Sequence, residues 1–300
     1  MLPGAGKTEE MDPLSPGSHH PVSISADEEL PYLQVFTPLL FTSTITAIQP
    51  EVETGQEPVL QRHAISVASS PPGLFVATID MTVNTKTLSI AELVVPRLDP
   101  SAISELGPFL EEVLRGGGNS ALTRNVGVVT WAMGEWVRKA TRRARFWHAV
   151  TSELGNAEQL FQCAKAMRQK TRRKRDRGQY DEDGEEYTDG GPDKAHPSKA
   201  DIVSLMGRTC LDLDLSGVAG NDDNEALIAR IQWRVEFDWT GEARNKIGLL
   251  LRAPVRWHAS DDKGSLAWLP DMFDKLLRDQ KDPLEAVKTI VSLMIADGQP

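Results

Sequence analysis

The chain has 300 residues but only two cysteines, three tyrosines and no long apolar run. Cys163 and Cys210 cannot hold a chain of this length together by disulfides, so a reducing interior is the expectation. Neither has a second Cys or a His at metal-ligand spacing, and no His among His19, His20, His63, His148, His196 and His258 lies three or four residues from another. No metal site is therefore expected. No Ser or Cys sits in a nucleophile-elbow or papain-like context, so no catalytic residue and no cofactor is expected, although a site assembled in space stays open. The longest apolar runs, at 74–79 and 247–251, fall far short of the roughly 18–20 residues of a membrane span. Residues 1–30 lack a basic stretch followed by an apolar core, so no secretory signal is expected. They are rich in Pro, Gly, Ser and Glu and read as a disordered tail.

What is present is ordinary globular composition, with 40% apolar and 25% charged residues. Lys+Arg number 33 against 43 Asp+Glu, a formal charge of −10. That excludes a protein that coats nucleic acid with its whole surface. The charge is segregated, however: residues 138–177 hold 13 Lys+Arg against the carboxylates of Glu153, Glu158 and Asp176.

From residue 31 to 98 the chain reads as strands. LLFTSTITAI is rich in β-branched residues, and Pro38 marks an edge or a break. HAISVAS is a candidate strand. In LFVATIDMTV, Phe75, Ala77, Ile79, Met81 and Val83 alternate with Thr78, Asp80 and Thr82, the period of a sheet with one apolar face. TLSIAELVV is its hairpin partner. Asp99-Pro100 predicts a helix start, Gly107-Pro108 a break, and Arg115-Gly116 an end. Val129, Met133, Trp136, Ala140, Trp147 and Val150 predict a long helix over 126–154, and a second, weaker one runs from about Ala157 to Met167. In the second half, Ile231, Trp233, Val235, Phe237 and Trp239 alternate with polar residues, followed by a second row of Ile247, Leu249, Leu251, Ala253, Val255 and Trp257. Helices are expected over 269–279 and from Asp282-Pro283 onward.

The expected fold is therefore α+β, with two small domains, each an antiparallel strand meander followed by helices. The expected division is a disordered tail at 1–30, a first domain at 31–167, a disordered charged linker at 168–200 and a second domain at 201–297.

Two motif-like stretches weaken on inspection. Gly4-Ala5-Gly6-Lys7-Thr8 lacks the first glycine, the strand and the helix of a phosphate loop, and reads as coincidence. Asp212, Asp214, Ser216, Gly217 and Asp223 resemble a calcium loop, but the twelfth position is Asp and a strand follows, so a half-buried strand CLDLDL is favoured. Seven Trp could stack on bases; the phase of Trp233 and Trp239 with their apolar neighbours favours core.

The basic run is the most informative feature. Lys170, Arg172, Arg173, Lys174, Arg175 and Arg177 form a patch of the kind read by a nuclear import receptor or by phosphate, and Arg138, Lys139, Arg142, Arg143 and Arg145 add a second basic patch on the long helix. The acidic stretch Asp181, Glu182, Asp183, Glu185 and Glu186 follows and could screen the run or bind a basic partner.

Two strand-meander-plus-helices units around a basic linker resemble the CENP-O family of kinetochore subunits, with paired RWD domains. The stretches that carry the resemblance are LLFTSTITAI and HAISVASSPPGLFVATIDMTV in the first unit, and RIQWRVEFDW with IGLLLRAPVRW in the second. The chain departs from that family in having no heptad run before Pro31. The resemblance implies a nuclear, centromere-associated scaffold without catalytic activity, paired with a related RWD-type subunit. The alternatives are a nucleic-acid-binding module using residues 138–177, with DNA contact secondary, and an enzyme with a spatially assembled site.

Overall fold

A computed structural model describes residues 37–48, 60–116, 122–176, 197–216, 227–253, 265–280 and 282–297. The expected tail at 1–30, the acidic stretch at 181–186, Arg177 and Trp257 lie outside these residues.

The first half is a meander of four antiparallel strands: β1 (Leu39–Ile48), β2 (Leu60–Ser69), β3 (Val76–Asn84) and β4 (Ser89–Arg97), adjacent in sequence order. Its register pairs Phe41 with Val67, Val67 with Ala77, and Met81 with Leu93. The alternating row Ala77 and Ile79 is fully buried, as the period of two requires.

Helix α1 (Ile103–Arg115) starts later than Asp99-Pro100 predicts. The Asp99 carboxylate instead accepts from the backbone N–H of Ser101 at 3.0 Å, closing a turn ahead of the helix. Pro108 does not break it. It sits inside the helix, and the carbonyl it leaves without a donor belongs to exposed Ser104, within reach of water. Gly116 ends the helix in the left-handed conformation, φ 75°, with its N–H donated to Glu112 O.

Helix α2 (Val126–Leu154) spans the expected residues, capped by the Asn125 side chain accepting from Val128 N. Helix α3 (Ala157–Asp176) runs nine residues beyond the expected end, so the basic run from Arg168 to Asp176 is helical backbone rather than the start of a linker. The seven-residue helix α4 (Lys199–Leu205) was not expected; Ser198 and Asp201 close a reciprocal capping box at its start. Strands β5 (Cys210–Asp214), β6 (Ile228–Phe237) and β7 (Ala243–Arg252) form a second antiparallel sheet in that order. Helix α5 (Ser265–Gln280) begins four residues ahead of the expected 269 and contains Pro270. Helix α6 (Pro283–Asp297) starts where Asp282-Pro283 places it.

Two apolar cores result. Sheet β1–β4, α1 and the first half of α2 enclose one, around Phe75, Ile79, Leu106, Met133 and Trp136. Sheet β5–β7, the second half of α2, α3, α5 and α6 enclose the other, around Trp147, Leu160, Trp233, Phe273 and Ile290. Helix α2, about 44 Å long, crosses from one to the other between Ala144 and Phe146. Ile202, Met206, Val235 and Ala243, all from beyond residue 200, are buried in the first core. Gly241, φ 83°, turns the β6–β7 hairpin where a Cβ would sit 3.3 Å from Phe109 and 3.4 Å from Val128. The ring of Phe237 stacks on Phe109 with centroids 5.3 Å apart.

Candidate interaction surfaces

Arg143, one of the five cations of the second basic patch, is fully buried. The helical phase that gives Trp136, Ala140, Trp147 and Val150 to the core gives it Arg143 as well. Its guanidinium forms a two-pronged pair with Glu105 of α1, Nη1 to Oε1 at 2.6 Å and Nη2 to Oε2 at 2.9 Å. The same carboxylate accepts from Trp136 Nε1 at 3.0 Å and from the backbone N–H of Val235 at 2.8 Å. Arg143 also donates to the carbonyls of Trp233 at 3.0 Å and Met206 at 2.8 Å.

This arrangement has a specific backbone role. Strand β5 begins at Cys210, opposite Gln232, and its ladder reaches Trp233 only through the bond from Trp233 N to Thr209 O. Beyond that point the edge of β6 would present the Trp233 carbonyl and the Val235 N–H unpaired. The Arg143–Glu105 pair supplies one donor and one acceptor to those two groups, and so continues the ladder with side chains.

The other four residues of that patch stay near the surface. Arg138, Arg142 and Arg145 are exposed and Lys139 is half-buried. Arg138 pairs with Glu135 and lies 5.6 Å from the centroid of the exposed Trp131 ring. In the basic run, Lys170 and Arg172 are exposed on α3, and Lys170 reaches Glu285 at 3.7 Å. Arg173, Lys174 and Arg175 lie on the helical backbone of α3. A receptor that reads the run as an extended peptide would first have to unwind this turn of helix.

Strand β1 is a candidate interaction surface that its sequence alone does not single out. It is the edge of its sheet, and among the described strands it alone carries no charged residue and no proline. The opposite edge, β4, has Glu92, Pro96 and Arg97 and two register shifts against β3, the devices that discourage strand addition. Along β1, Leu39 is buried at the foot, while Phe41, Ile45 and Ile48 are 42%, 60% and 39% exposed. Phe41 and Ile45 share the face that continues from the core, opposite Val67 and His63. No strand pairs with the outer side of β1 among the described residues.

Between α2, α3 and α6 lies a cavity of about 540 Å³, lined by Glu153, Cys163, Met167 and Lys288 among others. Lys288 donates to Glu153 at 2.6 Å and to Glu285 at 3.1 Å. Burial works against its charge, but the two carboxylates outweigh it and hold Lys288 above its ordinary range. Burial pushes the Cys163 thiol up, which keeps it protonated and a poor nucleophile.

Of the calcium-loop residues, Gly217 and Asp223 lie outside the described residues, and the aspartates that are described are otherwise engaged. Asp212 accepts two bonds from Arg230, at 2.7 and 2.8 Å, and Asp214 accepts from Ser216 N at 3.0 Å. Leu213 between them is buried in the second core, as the strand reading requires. Among the described residues no cluster of His, Cys, Asp and Glu could hold a metal ion, and no helix is long and apolar enough to cross a membrane. Trp233 is core, whereas Trp239, expected in phase with it, is 67% exposed. The strand ends at Phe237, and the Asp238 carboxylate turns the chain by accepting from Thr240 N at 2.9 Å and Glu242 N at 3.2 Å. No protein-family model and no curated protein sequence matches this chain.

Proposed function

We propose that the chain is a non-enzymatic interaction subunit of a nuclear assembly that pairs with a related α+β subunit by adding a partner strand to β1. The resemblance to the CENP-O family makes the inner kinetochore the setting of that proposal. One observation carries the pairing: a ten-residue edge strand with no charge and no proline, exposing Phe41, Ile45 and Ile48, in a sheet whose other edge is protected. A partner strand would satisfy the outward backbone groups and cover the apolar side chains together. The fitting occupant is itself an uncharged, β-branched edge strand, because any charge facing Ile45 would lose its hydration without gaining a counter-ion.

The test is purification of the tagged full chain from nuclei, as wild type, Ile45→Lys and Val94→Lys. Val94 is a 40% exposed residue on the opposite edge and controls for a surface lysine as such. The proposal expects a stoichiometric partner with wild type and Val94→Lys and its loss with Ile45→Lys, all three chains having the same melting temperature. A partner retained by Ile45→Lys, or lost equally with Val94→Lys, contradicts it.

A further inference from the structure

Helix α3 is split lengthwise. Leu160 and Ala164 are buried in the second core, with Cys163 packed beside them. About a third of a turn round from them, Phe161, Lys165, Arg168 and Arg172 follow at spacings of four, three and four residues, which align on one helix face. All four are exposed, Phe161 at 49%. Among the described residues no carboxylate pairs with Lys165, Arg168 or Arg172, whereas Lys170, one side round, reaches Glu285 at 3.7 Å. The helix therefore directs one row of uncompensated cations, led by an aromatic ring, away from the protein.

Along the outward row, Lys165, Arg168 and Arg172 place three charges over about 10 Å of axis. That is roughly one charge per 3.5 Å, close to the one phosphate per about 3.4 Å along a single DNA strand. An interfacial membrane helix is the poorer fit, since the apolar side of α3 is occupied by the core and its outward row has one apolar residue.

We infer that the outward face of α3 binds the phosphodiester backbone of nucleic acid, with Phe161 stacking on a base where the strand is unpaired. The inference is independent of β1 and of any partner subunit. Its chemistry is charge pairing between guanidinium or ammonium groups and phosphate oxygens, with counter-ions released to solvent. The chain outside residues 138–177 is net acidic and repels the same ligand, which confines contact to this basic stretch.

The experiment measures anisotropy of labelled single-stranded and duplex DNA oligonucleotides of about 20 nucleotides, titrated with the full chain at several salt concentrations. Lys165→Gln/Arg168→Gln/Arg172→Gln should weaken binding by more than about tenfold near 50 mM salt and flatten the log–log salt slope by about 0.9 per lost phosphate contact on duplex, or about 0.7 on single strands. Arg97→Gln/Arg234→Gln/Arg252→Gln removes three exposed cations elsewhere and should change affinity and slope far less. Phe161→Ala should cost on the order of tenfold on single strands and leave duplex binding unchanged. The inference is overturned if wild type binds neither DNA at low salt, if the α3 variant keeps the wild-type slope, or if the control triple does equal damage. Binding to phosphatidylserine vesicles without binding to DNA also overturns it. Equal single-strand affinity for Phe161→Ala and wild type removes Phe161 from the site.

Discussion

Replacing Arg143 by Met strands a carboxylate inside the protein. Glu105, 6% exposed at its side chain, would keep its bonds from Trp136 and Val235 but lose its counter-ion, and the carbonyls of Trp233 and Met206 would lose their donor. Breaking a buried pair from one side costs about 3–5 kcal/mol, against a total stability of about 5–15 kcal/mol for a protein of ordinary size. The urea midpoint should fall by about 1–2 M, read by the fluorescence of Trp136, Trp147 and Trp233, all buried. Glu105→Leu should cost as much, since it strands the guanidinium and leaves Val235 N–H and Trp136 Nε1–H unpaired. The double variant removes both charges and should lie well above the sum of the singles, with a coupling of about 2–3 kcal/mol. Because the pair bonds α1, α2, the Met206 residue that follows α4, and β6 at once, probes of both cores should lose structure in the same transition. An Arg143→Met variant within about 0.5 kcal/mol of wild type, or single costs that simply add, would refute the reasoning.

Two further outcomes follow from local geometry. Lys288 titrates above its ordinary value of 10.5, so the stability it contributes is complete below that pH and is lost as pH rises through the higher folded value; the stability gap between wild type and Lys288→Met should stay constant at neutral pH and close only in strong alkali, as thermal melts across pH 7–12 would record. Ser198→Ala removes the side chain that accepts from Asp201 N at 3.2 Å and should cost about 1 kcal/mol, with faster amide exchange confined to α4.

Much of this fold is legible because its signals are local. The alternation of Ala77, Ile79 and Met81 and the phase of Val129, Met133 and Trp136 each place one element without knowledge of its neighbours. Arg143 shows where a basic cluster misleads: its neighbours Arg138, Arg142 and Arg145 are exposed, whereas it falls in the buried row between Ala140 and Trp147. Its partner, 38 residues earlier on another helix, leaves no mark in the surrounding sequence. Clustered like charges predict an end to α3 at Met167, but Arg and Lys are good helix formers and only one side of the helix is buried, so it continues to Asp176. Ser198-Lys199-Ala200-Asp201 did carry a capping signature for α4. The β1 edge was legible as a lack of charge in LLFTSTITAI, but its exposure depends on which strand ends the sheet, a fact of topology rather than of sequence.

Strand addition at β1 is tested most directly by amide hydrogen exchange over Leu39–Ile48, in the isolated chain and in the complex recovered from nuclei. Outward-facing amides of β1 have no strand partner among the described residues and should exchange quickly in the isolated chain. The account predicts slowing of alternate β1 amides in the complex, with β4 unchanged. Unaltered exchange across β1 in a stoichiometric complex would contradict it.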